Sequence, residues 1–355
     1  MLLKILSKSD LPDAVERLGQ RYRIIAPMLH EGQTVFKELL PGDAPDMEYR
    51  TTPLPPKKAL LPPREELIQL QSTNGESRLE PVLDVQPAVL LGVHTCDLHA
   101  IGLLDKVFTE GVPDQHYINR RRLTKIISLE CLEPCSEHSF CKSMGTLAVP
   151  ESFDLHLTDL GSDYAVEIGS KAGLNLLWKF FTIRDAGDDD YARLNKAMSE
   201  KWSRFNYRLD IDATELPGLM SLNYADELWE ELGQQCLSCG ACNLVCPTCF
   251  CFDVQDEIDV DLRSGVRTRV WDSCQLARFA LVAGGHNFRI RRGDRLRHRF
   301  MRKGKYIQEM YDRPGCVGCG RCAQACPVDI KPLDVFNRLA AGHVNQSEMK
   351  KEAIV

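Results

Sequence analysis

Cys236-Leu237-Ser238-Cys239-Gly240-Ala241-Cys242-Asn243-Leu244-Val245-Cys246-Pro247 recurs, with the same spacing, as Cys316-Val317-Gly318-Cys319-Gly320-Arg321-Cys322-Ala323-Gln324-Ala325-Cys326-Pro327. Soft thiolates select iron-sulfur clusters. Three of them at i, i+3 and i+6 wrap one cubane on a tight loop, and the fourth, followed by proline, reaches the cluster of the other run. The spacing therefore predicts two 4Fe-4S clusters. One is held by Cys236, Cys239, Cys242 and Cys326, the other by Cys316, Cys319, Cys322 and Cys246. Zinc ribbons use separate CxxC pairs, a different pattern from four closely spaced cysteines closed by proline. A chain with this pair of runs is built to carry electrons.

The 355 residues, 44% of them hydrophobic, allow two domains with sizeable cores. Fifty acidic against 44 basic residues leave a formal charge of −6, no global footprint for nucleic acid or an anionic membrane. Met1-Leu2-Leu3-Lys4 runs into the polar Ser7-Lys8-Ser9-Asp10 without an apolar signal region, so the 15 cysteines read as those of a reducing, cytoplasmic compartment. No apolar run reaches the length of a membrane span.

Working outward from the cysteine runs, the chain divides near Leu216-Pro217-Gly218, read as a break between helices over Tyr191–Phe205 and Leu222–Leu232. Residues 1–216 are expected to form an α/β (α+β) domain, 217–345 a helical two-cluster ferredoxin domain, and 346–355 a tail. The 69 residues between Cys246 and Cys316, with helix signals over Ser273–Ala283, exceed what a compact ferredoxin with short hairpins needs. In the first domain, Leu11–Gln20 reads as a helix and Tyr22–Pro27 as a strand. Ala88–Val93, Asp97–Phe108 and Leu123–Leu129 read as strand, helix and strand. Phe153–Leu157 and Tyr164–Ile168 resemble an appended hairpin. Pro53, Pro55, Pro56, Pro62 and Pro63 predict an extended connector over the surface.

Cys96, Cys131, Cys135 and Cys141 fall where strands of this domain end, which is where α/β domains build sites. They are candidate ligands of a third 4Fe-4S cluster, with inert packing thiols or zinc as the alternatives. Cys249, Cys251 and Cys274 complete the 15. Three thiols are too few for a conventional cubane, and packing or tuning of a neighbouring cluster is the expectation. His94 and His99 flank Cys96. The basic segment Arg289, Arg291, Arg292, Arg295, Arg297, Arg299, Arg302, Lys303 and Lys305 is read as offsetting anionic clusters or docking an acidic partner, since it lacks the aromatic platform of a nucleic-acid binder. Gly284-Gly285 and Gly318 lie outside any strand-GxGxxG-helix context, so neither a nicotinamide nor a flavin site is expected.

Further motifs accompany the runs in order: Gly92-Val93-His94-Thr95-Cys96-Asp97, Glu130-Cys131, Phe140-Cys141-Lys142-Ser143-Met144-Gly145-Thr146, Cys246-Pro247-Thr248-Cys249-Phe250-Cys251, Trp271-Asp272-Ser273-Cys274 and Ala283-Gly284-Gly285-His286-Asn287-Phe288-Arg289. With them, about Lys57 to Pro332 resembles the family that holds the A component of anaerobic sulfite reductase together with the sulfhydrogenase β subunit. The resemblance implies an α/β domain ahead of a helical two-cluster ferredoxin domain, and it strengthens Cys96, Cys131 and Cys141 as third-cluster ligands over Cys135. It also implies a relay beside a flavin- and iron-sulfur-containing, ferredoxin-reductase-like subunit that handles NAD(P)H. The other implied partner is a catalytic redox subunit: a hydrogenase, a sulfite reductase or a module like heterodisulfide reductase.

The reading is an electron-transfer subunit without catalytic residues of its own. One alternative is a sulfur-handling enzyme using Cys249, Cys251 or Cys274; the other is an iron-sulfur redox sensor that binds DNA through the arginine segment.

Overall fold

The computed structural model describes residues 3–352 apart from 74, 75, 84, 85 and 151. Its elements up to the proline-rich stretch are β1 (Lys4–Ser7), α1 (Leu11–Gly19), β2 (Arg23–His30) and β3 (Gln33–Glu38). Then come β4 (Arg64–Thr73), β5 (Glu76–Pro81), β6 (Ala88–His94), α2 (Thr95–Thr109), α3 (Gln115–Leu123) and β7 (Thr124–Leu129). The first half ends with β8 (Leu155–Asp159), β9 (Asp163–Ile168), α4 (Lys171–Phe180), β10 (Arg184–Asp185) and α5 (Asp188–Arg204). The second half holds α6 (Leu216–Leu222), α7 (Leu228–Gln235), α8 (Ala241–Leu244), β11 (Phe252–Ile258) and β12 (Ser264–Trp271). It continues with α9 (Arg292–Met301), a π-helical turn over Arg302–Tyr306, α10 (Ile307–Tyr311), α11 (Arg321–Gln324) and α12 (Pro332–Glu352). Residues 346–352 of the expected tail continue α12, and 353–355 lie outside the described residues.

Eight strands form one sheet in the order β10-β1-β9-β8-β7-β6-β2-β3. Its centre is parallel, β2 with β6, β6 with β7 and β7 with β8. All seven residues of β6 are buried, as the continuous apolar run requires of a strand covered on both faces. Its ladder with β7 shifts register between Leu91 and Val93, a local irregularity just before the strand turns into α2 at Thr95-Cys96. The expected hairpin is not an appendage. β8 and β9 sit inside the sheet between β7 and β1, because Leu155 and Leu157 are fully buried there.

A second, antiparallel sheet, β11-β12-β4-β5, joins the two halves of the sequence. The hairpin β11–β12 springs from between the two cysteine runs. Its residue Arg269, 2% exposed, donates to Glu65 at 2.6 Å and also pairs with Asp114, while Arg120 holds the other oxygen of Glu65 at 2.5 Å. Helices α6, α7, α9 and α12 build a second core from Met220, Trp229, Leu232, Leu296, Phe300 and Phe336, into which Phe140 and Met144 of the first half also pack.

Three further sequence expectations are corrected. The expected surface connector holds for the exposed Pro53 and Pro63 but not for the residues between them. Pro55, Pro56 and Lys57 are buried, and Leu60 and Leu61 are wholly so, because the apolar Ala59-Leu60-Leu61 has area to remove from water whatever the prolines do to the backbone. Ser273–Ala283 is not a helix beyond one 3-10 turn over Ala277–Ala280, since the Ser273 hydroxyl turns the chain by accepting from the Gln275 N–H. Leu216-Pro217-Gly218 opens α6 instead of breaking the chain, as proline is accommodated in a first helical turn. No helix among the described residues is long and apolar enough to cross a membrane.

Candidate metal centres

The two cysteine runs fold alike. In each, the residue after the second cysteine is a glycine in the left-handed region, Gly240 at φ +81° and Gly320 at φ +77°, capping the short helices α8 and α11. A Cβ at Gly320 would stand 2.9 Å from the His138 backbone, so both the turn and the close approach call for glycine.

The runs exchange their last cysteines. One cavity is walled by Cys236, Cys239 and Cys242 of the first run together with Cys326 of the second. Another is walled by Cys316, Cys319 and Cys322 together with Cys246. Backbone N–H groups of Ser238 and Ile330 donate to the sulfurs of Cys236 and Cys326, each at 3.3 Å. Among the described residues, no three His, Cys, Asp or Glu converge as a single metal ion requires. Thiols distributed around a cavity suit a multi-iron cluster, whose ligands attach to different irons.

The walls around these cavities are cationic. Arg299, Lys303 and Lys57 are 4, 7 and 2% exposed, and none has a carboxylate partner among the ion pairs of the described residues. Arg299 lines both cavities and donates to Asn243 Oδ1 at 3.1 Å. Lys303 donates to Thr248 Oγ1 at 2.7 Å. Lys57, the residue that the sequence hid among prolines, donates to the carbonyls of Cys246 and Cys249 at 2.7 and 2.5 Å and lies 4.4 Å over the Trp271 ring. Burial, with the like charge of Lys303, pulls the Lys57 ammonium below its ordinary pKa against the opposing Cys249 and Cys246 sulfurs. Burial would do the same to Lys303, but the neighbouring Cys246 and Cys249 sulfurs more than offset it and hold it above. A buried cation without a counterion is costly, so these three call for anions, and thiolates around an iron-sulfur core supply them. The donor set and its charge both fit the group.

Cys96, Cys131, Cys135 and Cys141 gather against the second run. Cys96 packs with Val317 and Cys319. Cys131 and Cys141 share a small cluster with Leu147 and Phe205, and Thr95 Oγ1 approaches the Cys131 sulfur at 3.8 Å. Burial, then the nearby Cys135, Glu130 and Cys141, push the Cys131 thiol up. The segment carrying Cys141 docks on the loop of Cys316–Cys319. Phe140 N–H donates to Gly318 O at 2.8 Å and Thr146 Oγ1 to Val317 O at 2.6 Å, and a Cβ at Gly318 would meet Cys141 N at 2.6 Å. Cys135 is the half-buried member of the four. His94 stacks on Tyr49 at 4.2 Å, and burial lowers its pKa to about 4. His99 bonds the Ala148 carbonyl.

Two buried carboxylates hold this region together, and neither announced itself as a site residue. Asp97, in the first turn of α2, takes a two-pronged ion pair from Arg321 at 2.7 and 2.7 Å. Glu130 accepts from Lys201 at 2.7 Å and from the Cys131 N–H at 2.8 Å. Cys249, Cys251 and Cys274 line a separate cavity beside that of Cys246.

Comparison with known proteins agrees with this geometry. Residues 235–330 match the 4Fe-4S dicluster domain family. Over 337 residues the chain is 34% identical to sulfhydrogenase 2 subunit beta of Pyrococcus furiosus, covering 95% of this chain and 98% of that protein. Over 202 residues it is 25% identical to F420-dependent formate dehydrogenase subunit beta of Methanocaldococcus jannaschii, covering 54% of this chain and 44% of that one. No solved structure matches. With a dicluster domain behind a mixed α/β half and a relative matched almost end to end, the chain belongs to the sulfhydrogenase β-subunit family and is an iron-sulfur electron-transfer subunit.

Proposed function

We propose that the chain passes electrons one at a time between a flavin- and iron-sulfur-containing, ferredoxin-reductase-like subunit that handles NAD(P)H and a catalytic redox subunit of the hydrogenase, sulfite reductase or heterodisulfide reductase-like kind. The observation that carries this is the pair of four-cysteine cavities, each completed by a cysteine of the other run, with buried cations that lack carboxylates on their walls. When bound, 4Fe-4S clusters supply one-electron carriers.

The residues divide the work. Cys236, Cys239, Cys242 and Cys326 hold one cluster and Cys316, Cys319, Cys322 and Cys246 the other. Cys96, Cys131, Cys135 and Cys141 hold a third, a reading supported by the packing of Cys96 on Cys319. Arg299, Lys303 and Lys57 stabilise the more anionic, reduced state, and the N–H donors on Cys236 and Cys326 act in the same direction. Leu296, Ile330, Phe140 and Val317 keep water from the sulfurs. Cys239 is the exposed ligand, and its loop carries the exposed Leu237 and meets Leu276 at Gly240, Arg292 at Cys236 O (3.1 Å) and Arg295 at Ser238 Oγ (3.0 Å), which suits an acidic partner with an apolar centre.

The test is Cys239→Ser and Cys319→Ser in the anaerobically purified protein. Each is expected to lose or cripple one cluster, read as iron content and as a component of the reduced electron paramagnetic resonance spectrum. Unchanged iron and an unchanged transfer rate in both would remove the ligand assignment.

A further inference from the structure

The cavity beside Cys246 is lined by three thiols, Cys249, Cys251 and Cys274, and by three cations, Arg299, Arg302 and Lys303, with no carboxylate among its lining residues. The thiols are brought together by the fold. Phe252 pairs with Trp271 at the base of the β11–β12 hairpin, and Asp272 N–H donates to Cys251 O at 3.0 Å, which sets Cys274 opposite Cys251. Asn243 Nδ2 donates to the Cys274 sulfur at 3.0 Å and Gln275 Nε2 approaches it at 3.7 Å, the role of donors to a thiolate. Cys249 Sγ gives its hydrogen to Asn243 Oδ1 at 3.6 Å, an oxygen that keeps Arg299 as donor at 3.1 Å if that proton is lost.

We propose that these three cysteines hold a further iron-sulfur cluster with three protein thiolates and one iron left for a non-protein ligand. It rests on the relay reading and extends it, because this cavity shares Thr248, Arg299 and Lys303 with that of Cys246, Cys316, Cys319 and Cys322. Two other uses of the thiols fit less well. A single ion requires three ligands converging on one point, and no such group exists among the described residues. A Cys251–Cys274 disulfide is neutral and leaves the cationic wall without an anion, whereas three thiolates around an iron-sulfide core remain net negative. Cys249, Cys251 and Cys274 would hold the group as thiolates, each having given its proton to solvent, and the group would supply a further one-electron site beside the cavity of Cys246.

The test is iron and sulfide content, with electron paramagnetic resonance, on the anaerobically purified full chain and its Cys251→Ser, Cys274→Ser and Cys239→Ser forms. Cys251→Ser and Cys274→Ser are each expected to lose about four irons and a spectral component other than the one lost in Cys239→Ser. Wild-type iron and spectrum in both overturn the proposal. A second measurement uses the unaltered protein, so it stands whether or not the variants fold. Iodoacetamide labelling is expected to miss the half-buried Cys249 and Cys251 while iron is bound and to reach them after chelation. Labelling of Cys249 and Cys251 with iron retained, or a Cys251–Cys274 disulfide, overturns this site alone, provided the exposed Cys239 stays protected. Labelling of Cys239 in the iron-loaded protein overturns the relay reading itself.

Discussion

Asp97 and Arg321 are 1 and 3% exposed, and their two-pronged pair ties the helix that follows Cys96 to the loop that holds Cys319. Truncating the carboxylate in Asp97→Ala leaves a buried guanidinium unpaired. The expected cost is about 3–5 kcal/mol, measured by urea denaturation of the iron-loaded protein. A loss under about 1 kcal/mol would mean that the guanidinium finds water or another anion. Asp114 carries a pH dependence instead. Burial alone would raise its carboxyl, but the Tyr117 N–H at 2.9 Å and Arg269 hold it below the usual carboxylate range. A depressed folded pKa contributes stability above the ordinary value near ~3.9 and loses it as pH falls through the folded value. The gap in melting temperature between wild type and Asp114→Asn is therefore expected to be full at pH 7 and to shrink below about pH 4. A gap that is the same at both pH values would count against the pair. The cysteine runs were legible at this scale because their spacing is a local property of the chain, whereas nothing in Pro56-Lys57-Lys58 marked Lys57 as a buried neighbour of Cys246.

At the scale of elements, α9 and the turn after it present Arg295, Arg299 and Lys303 inward, four residues apart, while Arg291, Arg292 and Arg297 stay outside or at the rim. That periodicity converts a basic segment into a wall for the cysteine cavities. Lys303→Met removes a cation near Cys246, Cys249 and Cys316, so a reduced cluster there loses stabilisation. Its midpoint potential is expected to move to more negative values in a titration followed by electron paramagnetic resonance; a potential that stays put would sever the link between this lysine and the cluster. The central strands and helices of the first half were legible from apolar periodicity, β6 and α2 above all. The placement of β8 and β9 inside the sheet was not, because period-two alternation reports a half-buried pair without naming its neighbours.

Across the whole molecule, the two cores and the bridging sheet β11-β12-β4-β5 tie the cysteine cavities to both halves of the chain. Removing iron is expected to lower the melting temperature and to loosen the helices around the cavities before the eight-stranded sheet, because Arg299, Lys303 and Lys57 lose their anions while the sheet keeps its apolar core. Far-ultraviolet circular dichroism of the iron-depleted protein checks this through an early loss of helical signal, and a single transition at the iron-loaded temperature would contradict it. The sequence by itself determined the chemistry: eight thiols at cluster spacing, an α/β half, and the family resemblance. Only the tertiary structure decided which cysteine packs beside Cys96, which share a cavity with Cys274 and which cations line it, and that the hairpin between the runs completes a sheet begun at Arg64. Ligand spacing within a tight loop is set by covalent geometry and reads off the chain, but cavities, counterions and strand partners depend on contacts between residues tens to about two hundred positions apart.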